Sequence, residues 1–135
     1  MDLEGIDHVA IAVRNVEASA QWYIDVLGFE PRYKGMWDGI PTFIGKGATA
    51  IALFPSREDS AEAGKTRARS GMLHLAFGTT AGGFSAAQEE LKRRGIEFEF
   101  QDHEISHSIY FRDPDGHELE ITTYDPERSA APAGD

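Results

Sequence analysis

The pattern of apolar and polar positions along the chain occurs twice. The segment His8-Val9-Ala10-Ile11 resembles His74-Leu75-Ala76-Phe77, and each begins a strand-like run. Apolar residues then recur at spacings of three and four over Asn15 to Leu27 and over about Gly83 to Arg94. These spacings predict an amphipathic helix after each strand. Self-similarity of this kind indicates a duplicated structural unit.

A glycine follows each predicted helix. Gly28 and Gly95 can adopt the left-handed conformation that ends a helix, so we expect each helix to stop there. Three strand-like runs separated by turn sequences follow each glycine. The predicted strands are Pro31 to Trp37, Ile40 to Gly45, Ala48 to Phe54, Ile96 to Gln101, Ser106 to Arg112 and His117 to Tyr124. The chain is therefore predicted to be β-α-β-β-β twice, an α+β fold in which each copy builds half of a curved sheet.

The length of 135 residues fits one compact domain, predicted over residues 1–125. Module one spans residues 5–54 and module two spans residues 72–124. Residues 55–71 form a polar run without apolar periodicity, which we interpret as a linker rather than a functional lid. Residues 126–135 are rich in Ala, Pro and charge, which predicts a flexible tail.

The composition limits the classes of function. The net charge is −10 and the Lys and Arg residues form no stripe, which argues against nucleic-acid binding. No apolar run approaches the ~20 residues that span a bilayer, and Met1 to Gly5 lack the features of a signal peptide. We therefore expect a cytoplasmic protein that binds no membrane. Cysteine is absent, so a tight metal site has to use His and carboxylates.

The repeat combines three residues into a candidate metal site. His8 and His74 occupy equivalent places at the first strand of each half, and Glu120 lies on the last strand. Two imidazoles and one carboxylate bind a divalent metal and leave positions open for substrate and for water or oxygen. Glu118 shares a strand face with Glu120, and alternation alone leaves open whether that face points into a cavity or to solvent.

The repeat also predicts how many ligands the protein supplies. Aligning Ile51-Ala52-Leu53 with Leu119-Glu120-Ile121 places Ala52 at the position of Glu120. Because an alanine cannot bind a metal, we expect three protein ligands. An open site of this kind suits a metal that must also bind a chelating substrate.

At this point the sequence resembles the vicinal-oxygen-chelate superfamily, which includes glyoxalase I, extradiol ring-cleaving dioxygenases, fosfomycin-resistance proteins and bleomycin-binding proteins. The resemblance covers about residues 5 to 124. Its motifs are Ile6-Asp7-His8-Val9-Ala10, Tyr23-Ile24-Asp25-Val26-Leu27-Gly28-Phe29, His74-Leu75-Ala76-Phe77 and Tyr110-Phe111-Arg112-Asp113-Pro114-Asp115-Gly116-His117-Glu118-Leu119-Glu120. The resemblance implies paired βαβββ modules in one curved half-barrel, with His8, His74 and Glu120 as metal ligands. It also implies a homodimer.

The stretch from His103 to Glu120 resembles the signature of extradiol dioxygenases. The matching positions are His103, Ile109, Tyr110, Asp113, Pro114, Gly116 and Glu120. Gln101 departs from the pattern at its first position. The resemblance implies that His103 lies near bound oxygen and that Tyr110 hydrogen-bonds a substrate oxygen, so both are candidate catalytic residues. We interpret His107 and His117 as surface residues.

Three functions stay open. The leading hypothesis is an iron(II)-dependent extradiol dioxygenase that opens a catechol-like substrate with two adjacent oxygens. The second is a glyoxalase-I-like lyase or isomerase that uses nickel, manganese or zinc as a Lewis acid, although glyoxalase I usually has four protein ligands and Ala52 removes one. The third is a small-molecule binding or resistance protein without turnover. Fosfomycin-resistance proteins place a Thr two residues after the first His, where this chain has Ala10.

Overall fold

A computed structural model describes residues 1–2, 4–56 and 72–129. Most of the predicted linker and most of the predicted tail therefore lie outside the described residues. The chain divides into two compact units, unit 1 (Met1–Ala63) and unit 2 (Gly64–Asp135). Among the described residues, no helix has the length and apolar character needed to cross a membrane.

Each unit contains one β-α-β-β-β copy. The elements of unit 1 are β1 (Val9–Val13), α1 (Val16–Leu27), β2 (Glu30–Arg32), β3 (Thr42–Lys46) and β4 (Thr49–Pro55). Those of unit 2 are β5 (Leu75–Gly78), α2 (Ala81–Arg93), β6 (Glu99–Asp102), β7 (His107–Arg112) and β8 (Glu118–Thr123). The strand orders are β1-β4-β3-β2 and β5-β8-β7-β6, with the first pair of each sheet parallel and the others antiparallel. The predicted α+β class and the repeated element order are confirmed.

Polar caps and glycines fix both helices near the predicted bounds. The Asn15 side chain accepts a hydrogen bond from the Ala18 backbone N–H at 2.9 Å, and Gly28 follows α1 with a φ of 76°. Thr80 caps α2 in the same way, so this helix begins two residues before the predicted Gly83. Gly95 has a φ of 71°, which confirms the predicted left-handed position.

Two predicted strands are shorter in the structure. The strand predicted over Pro31 to Trp37 ends at Arg32 because the chain then turns, with φ values of 53° at Tyr33 and 54° at Trp37. These left-handed conformations are incompatible with a strand. The strand predicted from Ile96 begins at Glu99, because the Ile96 N–H still bonds to a carbonyl of the preceding helix.

The strand register confirms the alignment of the two copies. In unit 1, Ala52 pairs with Ala10 on one side and with Phe43 on the other. In unit 2, Glu120 pairs with Ala76 and with Tyr110 in the same way. Ala52 and Glu120 therefore occupy equivalent places, with exposed fractions of 0% and 8%. The solvent-facing interpretation of Glu120 is wrong, because β8 is covered on both faces.

Candidate metal centre

The two candidate ligands of unit 2, His74 and Glu120, lie next to each other. His74 directly precedes β5, and Glu120 lies on the neighbouring strand β8. The Nε2 atom of His74 lies 3.0 Å from Oε1 of the buried Glu120. Two neighbouring ligands in an octahedral site, each about 2.1 Å from the metal, are about 3.0 Å apart. An imidazole nitrogen and a carboxylate oxygen at this separation fit a divalent metal. These two atoms are the donors that unit 2 would supply to such a metal.

Glu118 lies on the other side of the His74 ring. Its carboxylate is 3.8 Å from Nδ1 of His74 and 3.5 Å from the Arg112 guanidinium. The side chains of Glu118 and Glu120 thus both approach His74, as expected for residues that share a strand face. A carboxylate near Nδ1 favours a proton on that nitrogen and leaves Nε2 as the donor to a metal.

The two predicted catalytic residues are in contact with each other. His103, in the loop after β6, places Nε2 3.1 Å from the Tyr110 hydroxyl. The Tyr110 ring on β7 also meets the His74 ring edge-on, with centroids 5.7 Å apart. The structure therefore brings His74, His103, Tyr110 and Glu120 together, and we call these four residues with Ser108 the unit 2 cluster.

Burial raises the pKa of Tyr110 above its ordinary value, and the negative charge of Glu120 raises it further. A hydrogen bond with Ser108 acts in the opposite direction but does not cancel these effects. A hydrogen bond with the Glu120 carboxylate also raises this pKa, so the phenol stays protonated at neutral pH with its proton directed at a candidate ligand.

Ser108 is a member of the cluster that the sequence analysis missed. It lies on β7 two residues before Tyr110 and donates a hydrogen bond of 2.7 Å to Oε2 of Glu120. Alternation along β7 contains a signal, since residues two apart share a face and Ser108 must therefore accompany Tyr110. The sequence does not show that this face is the one directed at Glu120.

His8 lies in unit 1, directly before β1, as His74 lies directly before β5. Its Nδ1 shares a hydrogen bond of 2.8 Å with the Asp7 carboxylate, and its ring meets the Phe43 ring edge-on with centroids 5.2 Å apart. Because Asp7 engages Nδ1, Nε2 is the nitrogen available to a metal. Within the described ranges 1–2, 4–56 and 72–129, no three His, Asp or Glu residues form a metal-binding group. His8 as a third ligand stays a prediction.

The interpretation of two other histidines as surface residues needs correction. The His107 side chain is only 13% exposed and packs against the Phe100 ring, with centroids 5.0 Å apart. Its Nδ1 also hydrogen-bonds Ser129. His117 is half-buried and bonds through Nδ1 to the Asp113 carboxylate at 2.7 Å. Both histidines hold local structure rather than face solvent, since aromatic or carboxylate partners cover them.

A cavity of about 550 Å³ in unit 2 borders the cluster. Tyr110 and Glu118 contribute to its wall, and Arg112 lies beside them. The remaining wall comes from Phe111 and residues 96–99. This volume lies within the range that small-molecule sites occupy in proteins.

A family profile for the Glyoxalase/Bleomycin resistance protein/Dioxygenase superfamily matches residues 5–121. The chain belongs to this superfamily. The resemblance to the vicinal-oxygen-chelate proteins is therefore confirmed at the level of the superfamily, whose members are mostly enzymes that use divalent metals and act on small molecules.

Individual relatives of different activity resemble the chain. It is 27% identical to metallothiol transferase FosB of Staphylococcus epidermidis, over 90% of this chain and 84% of that protein. It is 34% identical to biphenyl-2,3-diol 1,2-dioxygenase 3 of Rhodococcus globerulus, over 84% of this chain but only 60% of that protein. A glyoxalase/dioxygenase structure from Nostoc punctiforme matches 91% of this chain and 92% of that chain with a TM-score of 0.74 and 22% identity, which supports the fold alone.

Proposed function

We propose that the protein is an iron(II)-dependent enzyme that opens the ring of a catechol-like substrate with oxygen. The observation that carries this proposal is the hydrogen bond of 3.1 Å between His103 and Tyr110, placed beside the His74–Glu120 pair. The similarity to a dioxygenase of an aromatic diol supports the same substrate class. The activity of that longer protein is carried over here as a proposal.

His74 through Nε2 and Glu120 through Oε1 would hold the metal, and His8 through Nε2 would be the third ligand. A divalent metal held by these groups would supply Lewis-acid and redox chemistry for the reaction of a chelating diol with oxygen. Manganese, nickel and zinc are the alternatives to iron. The donor set of imidazole nitrogen and carboxylate oxygen suits all four metals, so the donors do not choose among them.

Tyr110 and His103 handle protons in this proposal. The Tyr110 phenol, kept protonated by its raised pKa, donates a hydrogen bond to a substrate oxygen and orients the diol. His103 Nε2, in contact with that hydroxyl, accepts or returns a proton as the substrate oxygen changes its charge. The cavity that Tyr110 and Glu118 line has the volume of a small-molecule site, although His74, His103 and Glu120 are not part of its wall.

The test is anaerobic loading of the purified protein with iron(II), followed by addition of oxygen and a panel of catechols. We expect the absorption of a ring-cleavage product and the consumption of one O₂ molecule per substrate molecule. A His74→Ala variant, treated identically, should form no product because it lacks a ligand. Absence of ring cleavage with every catechol in metal-loaded protein would contradict the proposal.

A second candidate is transfer or rearrangement chemistry on a thiol-containing substrate. The match over 84% of the length of a metallothiol transferase favours it. It is distinguished by a metal series with thiol adducts, since turnover with zinc and no uptake of oxygen would select this class. If the purified protein holds no metal, and if His74→Ala binds the ligand as tightly as wild type does, the protein would instead be a binding protein without turnover.

We also propose that the protein acts in the cytoplasm, as its apolar pattern leads us to expect, and that it is a homodimer, as the superfamily resemblance implies. Light scattering at micromolar concentration tests the dimer, with twice the 14.9 kDa of the chain as the expected mass. A mass equal to one chain would contradict it.

A further inference from the structure

Ser108 has an unusual position for a serine on a strand. Its side chain is fully buried, with an exposed fraction of 0%. Its hydroxyl lies 2.7 Å from Oε2 of Glu120 and 2.9 Å from Oγ1 of Thr122. A buried hydroxyl needs a partner, and here the partner is the carboxylate that would bind the metal.

The Ser108 proton has two acceptors within reach, the Glu120 carboxylate and the Thr122 hydroxyl oxygen. Thr122 also lies 3.2 Å from the His107 carbonyl, to which it can donate its own proton. Of the two acceptors of the Ser108 proton, the carboxylate is closer, at 2.7 Å against 2.9 Å, and it can only accept. A hydroxyl that donates to an ionised carboxylate makes a charge-assisted hydrogen bond, which is stronger than a neutral one.

The two carboxylate oxygens of Glu120 are therefore in different environments. Oε2 accepts from Ser108, whereas Oε1 lies 3.0 Å from Nε2 of His74. We propose that Ser108 is a positioning residue whose hydrogen bond keeps Oε2 of Glu120 away from the metal, so that Glu120 would bind the metal through Oε1 alone. This inference rests on the proposed metal site. It implies that Glu120 would occupy one coordination position rather than two.

The experiment is a titration of the metal-free protein with cobalt(II), followed by visible absorption. Ser108→Ala should weaken cobalt binding by about 10- to 100-fold, the usual effect of removing a group that holds a ligand. Its spectrum should also change, because the released Oε2 can bind the metal and raise the coordination number. Ser108→Thr keeps the hydroxyl and should restore most of the affinity and the wild-type spectrum.

The matched control is Ser19→Ala. Ser19 lies in α1 with an exposed fraction of 1%, and its hydroxyl has no hydrogen-bond partner among the described residues. The same substitution at the same depth should leave cobalt binding unchanged. Circular dichroism and urea unfolding of each metal-free variant separate a loss of metal binding from a loss of folding.

The outcomes distinguish this inference from the proposed function. If Ser108→Ala matches wild type in affinity and spectrum while Glu120→Ala does not bind cobalt, the positioning role is overturned and the metal site stands. If wild type binds no cobalt, or Glu120→Ala binds as well as wild type, both fail. If Ser108→Ala does not fold, infrared difference spectra of wild type with and without cobalt test the inference instead. We expect the carboxylate stretching bands of a group that binds the metal through one oxygen. Bands of a carboxylate that binds through both oxygens would overturn the inference.

Discussion

Units 1 and 2 have the same order of strands and α-helices and the same strand register, yet they carry different side chains at two equivalent places. Where unit 2 has Tyr110 and Glu120, unit 1 has Phe43 and Ala52. Unit 1 therefore lacks the phenol and the carboxylate that unit 2 carries at these places. The backbone frame is duplicated, whereas these two polar groups are not.

The histidines are the exception to this difference. His8 meets Phe43 edge-on at 5.2 Å, and His74 meets Tyr110 edge-on at 5.7 Å, so both copies place an imidazole against an aromatic ring. In unit 2 that imidazole also lies 3.0 Å from the buried Glu120 carboxylate. The duplicated frame thus repeats the histidine in each unit, whereas the glutamate at this place occurs in unit 2.

The largest effect is expected from forcing the carboxylate into unit 1. Ala52→Glu places a charge at a fully buried position, and it should reduce the free energy of unfolding by about 3 kcal/mol or more. Urea unfolding measures this loss. The control is Ala10→Glu, since Ala10 is the exposed neighbour of Ala52 across the sheet. Equal losses in both variants would show that burial of the charge at position 52 is not the cause of the loss.

Removing the carboxylate from unit 2 should have the next largest effect. Glu120→Ala gives unit 2 the residue of unit 1, and metal affinity should fall by more than the roughly 100-fold upper range for groups that only support a ligand. Calorimetric titration with cobalt(II) measures the change. Glu118→Ala should cost less, because Glu118 is 3.8 Å from His74 and acts on its orientation. A larger loss of metal affinity for Glu118→Ala than for Glu120→Ala would show that Glu118 is the ligand and that Glu120 supports it.

A smaller effect is expected from exchanging the aromatic residues. Tyr110→Phe removes the phenol while keeping the ring against His74, so kcat should fall by about 100-fold with little change in cobalt affinity. Phe43→Tyr in unit 1 is the matched control and should leave kcat nearly unchanged. If Tyr110→Phe lost metal instead of turnover, the phenol would support the ligands rather than the substrate.

The smallest effect concerns the helices, where α2 has an ion-pair cluster in its last turns. Hydrogen bonds from Arg93 and Arg94 lower the pKa of Glu90 below its ordinary value. A carboxyl group whose pKa is lowered by folding stabilises the folded state at pH values above its ordinary pKa. This stabilisation is lost as the pH falls through the lowered pKa of the folded state. Glu90→Gln should therefore lower the Tm slightly at pH 7, and the difference should vanish in acid. A difference that persists in strong acid would rule out this ionic cause.

Much of the frame could be predicted from the sequence because it depends on local signals. Helix spacing and the two glycines predicted α1 and α2, and the repeat predicted the equivalence of Ala52 and Glu120 that the register confirms. The turn after Arg32 could not be predicted, because Tyr33 and Trp37 adopt left-handed conformations that residues of these types rarely adopt.

The site was harder to predict than the frame. Alternation could not choose the face of Glu120, because both faces of β8 are covered and neither shows the exposed polar side that alternation detects. Ser108 escaped notice for a related reason, since a buried serine is identified only by the partner across the strand. His107 was misassigned because the rings of Phe84 and Phe100 that cover it lie on separate elements.

The central claim is that the His74–Glu120 pair of unit 2 binds a divalent metal. Titration of metal-free wild type and Glu120→Ala with cobalt(II) under identical conditions tests it most directly. We predict one tightly bound metal per chain in wild type, and an affinity at least 100-fold weaker in the variant. Absence of binding in wild type, or equal binding in both proteins, would contradict the account.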